Sequence, residues 1–125
     1  MNPDMVSKIQ KIYKESKVLA EQYKCTDVLF NDGRAQKEIM DEYAKQINIA
    51  NMYRQKEKDL NFLYAILTDA KNSAKSSPGK QESAKLEKQL ATWVDNIYLL
   101  LKVYYTINQM QTSILKYYER GGATF

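Results

Sequence analysis

Residues 86–119 read LEKQLATWVDNIYLLLKVYYTINQMQTSILKYYE, and the spacing of the large apolar side chains in this stretch decides the fold. Leu86, Leu90, Trp93, Ile97, Leu100, Tyr104, Ile107, Ile114 and Tyr118 recur in alternating steps of four and three, with Gln111 the one polar member of the series. An α-helix brings such positions onto one stripe, whereas a strand would need alternation at every second residue. The residues farthest from the stripe, Lys88, Asp95, Lys102, Gln109 and Lys116, are all polar. The spacing therefore predicts a single helix over about 80–120, buried along one face and wet along the other. Gly121-Gly122 follows, able to take the left-handed backbone that ends a helix. Arg120 sits where the helix dipole is negative.

Upstream, Ser76-Ser77-Pro78-Gly79 is the clearest break in the chain. Ser77 can cap a following helix with Pro78 at its first position. Before that break, about 35–75 contains neither proline nor glycine. Ile39, Tyr43, Ala50, Tyr53, Leu60, Tyr64 and Leu67 form a second helical stripe, with Gln46 and Glu57 as polar interruptions. Two helices of about 40 residues each extend about 60 Å. The turn at Pro78-Gly79 should fold them into an antiparallel hairpin, placing Tyr64 by Trp93, Tyr53 by Tyr104 and Tyr43 by Ile114.

Asn2-Pro3-Asp4 is a helix start: an N-cap, a proline at the first helical position and an acid in the first turn. Met5, Ile9, Ile12, Leu19 and Tyr23 continue the same stepping if Ser16 counts as a polar member, and Ser7, Lys14 and Glu21 opposite are polar. This predicts a shorter helix over about 3–24. At about 33 Å it can cover only half of the hairpin. The connection at 25–34, with its Asn31-Asp32-Gly33 turn signature, is expected to keep it beside the start of the second long helix and the end of the third. Val28-Leu29-Phe30 should plug the end of the bundle. The expected fold is all-α: one helical domain over 1–125, a long antiparallel hairpin with a shorter helix packed on one half as a coiled-coil-like three-helix bundle.

Composition agrees. A chain of 125 residues that is 44% hydrophobic and 27% charged can build one ordinary core, and 4 glycines with 2 prolines leave few breaks. No apolar run approaches the roughly 18 residues that span a bilayer; the run at 97–101 is ended by Lys102. No basic-then-apolar leader is visible at the start, so the expected location is cytoplasmic or within an assembled particle. Cys25 stands alone, which rules out an internal disulfide and suits a small semi-buried residue at a helix end.

Enzymatic chemistry finds little to work with. Histidine is absent, which removes the commonest general base and metal ligand. Glu38, Asp41 and Glu42 share a helix face, but Lys37 and Lys45 beside them make a solvated face of ion pairs the simpler reading. Asp95 lies among apolar neighbours, yet the helical stepping sends it outward. No catalytic, cofactor or metal residue is assigned, and no cofactor or small-molecule substrate is expected.

What the sequence asks for is a protein partner. Phe62 and Ile66 fall off the stripe that Leu60, Tyr64 and Leu67 define, and a helix apolar on more than one face is buried on more than one face. Phe62, Leu63, Ile66, Tyr98, Tyr105 and Tyr117 are the candidate interface. Core packing in a slim bundle is the competing role for many of the 10 tyrosines. Lys71, Lys75, Lys80 and Lys85 near the turn are a candidate weak anion contact. With neither arginine nor aromatic residues among them to read bases, a solvated tip is favoured over nucleic-acid binding. The expected role is a structural or assembly subunit packing helix to helix against itself or other subunits, as in a virus particle or secretion apparatus. A small helical chaperone or adaptor is the alternative, and a weak nucleic-acid or anionic-surface binder the third.

Overall fold

The computed structural model describes residues 3–24, 35–75 and 81–121. Three helices account for nearly all of them: α1 (Pro3–Gln22), α2 (Gln36–Lys75) and α3 (Gln81–Glu119). Each begins and ends where local chemistry favours it. Pro3 opens α1 with Asp4 in its first turn, α2 runs from Glu38 in its first turn to Lys75 in its last, and α3 has Lys116 in its last turn. Beyond α3, Gly121 takes φ 72° and its N–H donates to the Tyr118 carbonyl at 2.9 Å, the left-handed stop that a β-carbon would disfavour. Among the described residues no helix is long and apolar enough to cross a membrane.

α2 and α3 pack as the expected antiparallel hairpin, and the expected register holds. The rings of Tyr53 and Tyr104 lie 5.9 Å apart, and Gln46 meets Gln111 one heptad farther from the turn. Beyond them Ile39, Ile114, Tyr117 and Tyr118 close the end of the hairpin with Tyr43 against them. Lys88, Asp95, Lys102, Gln109 and Lys116 are all exposed, while Leu90, Ile97, Leu100, Tyr104 and Ile107 are buried.

Three of the four polar members of the stripes, Gln46, Gln111 and Glu57, are held by side-chain hydrogen bonds, whereas the buried Ser16 hydroxyl has no partner among the described residues. The Gln111 amide donates to the Gln46 side-chain oxygen at 2.6 Å and to its carbonyl at 3.3 Å, and Tyr23 donates its hydroxyl to Gln111 Oε1 at 3.0 Å. Glu57 accepts from Asn108 at 2.6 Å. Ser16, fully buried, is small enough for the Tyr104 ring to reach the backbone of α1, where its hydroxyl donates to the Ser16 carbonyl at 2.7 Å. Tyr53 donates to the Leu19 carbonyl at 2.9 Å in the same way. A helix carbonyl keeps a second lone pair after its own helical bond, so these contacts leave the helix intact.

The position of α1 corrects the expectation. It lies over the half of the hairpin nearer the turn: Ile9 shares a core cluster with Leu60, Leu63, Leu67 and Leu90, and Tyr13 packs edge-on against Trp93 at 5.5 Å. Tyr23, just past its end, reaches Tyr53 and Gln111, short of the far cluster of Ile39, Ile114, Tyr117 and Tyr118. The physical reason is reach. The ten residues at 25–34 can extend to more than about 30 Å, so the connection does not force α1 to start back beside residue 36. The better-matched surface, with apolar side chains from both long helices, decides instead. Val28-Leu29-Phe30, Cys25 and the turn at 76–80 fall outside the described residues.

Candidate protein-interaction surfaces

Turning the stripes into helices fixes which candidate residues reach the surface. Leu60 is fully buried, and Phe62 stands about 200° farther round α2, which leaves its ring 68% exposed. Ile66, one turn on, is half-buried. Leu63 and Tyr117 belong elsewhere. Leu63 is 5% exposed because α1 covers that flank, and it packs in the cluster that contains Ile9. Tyr117 is 7% exposed, with its ring edge-on to Tyr118 at 5.2 Å. Both serve the core of their own chain and leave the candidate surface.

Tyr98 and Tyr105 come together on α3, beside the α2 residues Glu57, Asn61 and Tyr64, along a shallow groove of about 320 Å³. Tyr98 leans on the Tyr64 ring at 6.3 Å, and the Lys102 ammonium lies 4.7 Å above the Tyr98 ring, a cation–π placement. Tyr105, 62% exposed, points past them into solvent.

The sequence reading missed the other flank of α3. Leu99 and Val103 remain 59% and 45% exposed. With Leu100 and the α1 residues Tyr13 and Ala20 they line a second groove of about 280 Å³. The signal was available in the unbroken apolar run at 97–101. Five successive residues sweep the whole circumference of a helix, so no single stripe can bury them all. α3 is thus a helix with one dry face, a narrow wet line through Asp95, Lys102 and Gln109, and an apolar ridge on each side of that line.

The remaining candidates carry less. Lys71 is half-buried, Lys75 and Lys85 are exposed at the turn end of the hairpin, and Lys80 lies outside the described residues. Glu42, in the acidic trio of α2, accepts a hydrogen bond from Gln46 at 2.9 Å. Among the described residues no group of three potential ligands converges on a metal position. Burial pushes the Tyr104 hydroxyl up to about 12, with the adjacent Tyr53 adding to the rise and a hydrogen bond to Ser16 offsetting part of it. That hydroxyl is a fully buried structural tie between α3 and α1.

Comparison with protein families, curated proteins and solved structures finds no match to this chain.

Proposed function

We propose that this chain is a non-enzymatic structural or assembly subunit that works by packing its helices against other protein chains. One observation carries the reading: large apolar side chains stand exposed on outer faces of both long helices, Phe62 on α2 and Tyr98, Leu99 and Tyr105 on α3. Single exposed apolar residues are ordinary, but a contiguous set on one face marks a contact surface. The α3 residues form such a set, and Phe62 with the half-buried Ile66 adds a smaller apolar patch on α2, which suits a subunit with more than one neighbour. The test combines Phe62→Glu with Ile66→Lys. In a self-assembly the change lowers the solution mass while helical circular dichroism is kept. In a mixed complex it abolishes co-purification of the partner. A wild type that is monomeric, and whose partners and mass are indifferent to both surfaces, overturns the reading.

A chaperone or adaptor is the second reading, favoured by the apolar groove between α1 and α3. An amphipathic client helix laid there would raise the melting temperature on addition, which a closed assembly would not show.

A further inference from the structure

We propose that the outer face of α3 pairs antiparallel with the same face of a second copy of this chain, about a two-fold axis passing between Tyr98 and Leu99. The inference rests on the assembly reading and names the partner of one of its two surfaces.

Charge placement selects the partner and the orientation. Asp95 and Lys102 are both exposed on the wet line of α3, one heptad or about 10 Å apart. The Asp95 carboxylate has no hydrogen bond or ion pair among the described residues. Lys102 rests on Tyr98, between the two charges. A parallel pair of α3 helices would set Asp95 against Asp95 and Lys102 against Lys102, the like-charge juxtaposition that specific interfaces avoid. An antiparallel pair centred between Tyr98 and Leu99 sets Asp95 of each copy against Lys102 of the other, twice. It also places Lys88 opposite the neutral Gln109. Shifting the centre by half a heptad, to Lys102 or to Asp95, again opposes identical charges.

The same operation arranges the apolar ridges. A two-fold axis perpendicular to antiparallel helices keeps each flank on its own side, so the contact is isologous. Tyr98 then meets Tyr98 on one flank, and Leu99 meets Leu99 on the other, both close to the axis. Tyr98 at 48% and Leu99 at 59%, left exposed among the described residues, are the ones this places at the centre. The charged pairs lie between the two flanks, about 5 Å along the helix on either side of the axis, where matching opposite charges fixes the register.

The experiment is a charge-exchange series read by sedimentation equilibrium over a wide concentration range at low salt, with circular dichroism confirming that each variant keeps its helices. Wild type is expected to dimerise. D95K leaves like positive charges at both contacts and K102D like negative ones, and each should weaken the dimer at least about tenfold. Mixing the two variants restores opposite charges at both contacts, so the mixture should dimerise although neither component does. K116D is the register control and should leave the dimer unchanged. A monomeric wild type overturns the inference, as does a mixture no stronger than its components, or a K116D variant as weak as K102D. A wild-type oligomer indifferent to D95K and K102D but dissociated by Phe62→Glu with Ile66→Lys overturns this inference alone and leaves the assembly reading standing.

Discussion

Gln111 is 1% exposed in the middle of an otherwise apolar stripe, and it is tolerated because every polar atom of its side chain is engaged with Gln46 or Tyr23. Removing one partner of such a set is worse than removing both, since the group left behind loses its donor without regaining water. Gln111→Leu should therefore cost about 1–3 kcal/mol. Gln46→Leu combined with Gln111→Leu should cost less than the single change, and urea melts of the two variants would check the order. Plain packing sets the contrast along α3. Ile97→Ala removes a fully buried side chain and should cost about 2–5 kcal/mol, while Asp95→Ala, at the surface, should cost the folded monomer under about 0.5 kcal/mol. Equal losses at the two sites would mean that the buried face has been misplaced. Tyr104 predicts a pH effect. Its folded value is raised to about 12 from an ordinary 10.0, first by burial. Its contribution to stability is thus fully present below pH 10 and lost as pH rises toward 12. Alkaline unfolding should set in across that window, with tyrosinate absorbance rising together with loss of helix. Tyr104→Phe, which keeps the ring but cannot ionise, should shift the transition to higher pH.

The three helices differ in what holds them. α2 and α3 are joined along their whole shared length by interleaved stripes, whereas α1 is tied by a few long side chains: Tyr53 and Tyr104 to its carbonyls, Tyr23 to Gln111, and Tyr13 against Trp93. Ser16 is the site where that arrangement is tightest. Ser16→Leu puts a large side chain where the Tyr104 ring enters, and overpacking of this kind should cost about 1–3 kcal/mol. Ser16→Ala, which leaves room and backbone unchanged, should cost less, and melts of the pair would separate volume from polarity. At the other end of the bundle, α3 depends on its glycine stop. Gly121→Ala meets open space but keeps a positive φ that an L side chain resists by about 1–2 kcal/mol. The expected outcome is fraying of the last turn, read as faster amide exchange at 116–120 with the Ile97 region unaffected.

Across the whole molecule, the single tryptophan reports on the joint between α1 and the hairpin, because Trp93 packs on Tyr13. One core cluster contains residues of all three helices, which predicts a single cooperative transition. Trp93 fluorescence and helical circular dichroism should then change together on heating. Fluorescence that shifts first would show α1 leaving a hairpin that survives without it. Coincident curves would instead establish that the tyrosine ties couple α1 to the long helices.

The helices, the glycine stop of α3, the facing stripes and the hairpin register could all be read from the amino-acid sequence. Each of these follows from spacing along one chain, where a 3.6-residue repeat and a glycine or proline stop act locally. The wet line through Asp95, Lys102 and Gln109 was legible for the same reason. Which half of the hairpin α1 covers, and with it the burial of Leu63, was settled by packing in three dimensions. That choice compares two surfaces distant in sequence, and a ten-residue connection reaches either of them. Tyr117 was likewise open until the helix end was built, since a tyrosine beside the stripe packs as readily inward as outward. Leu99 and Val103 depended on the same kind of fact. Their spacing announces apolar side chains beyond what one face can bury, but whether a neighbouring helix covers them depends on where that helix lies.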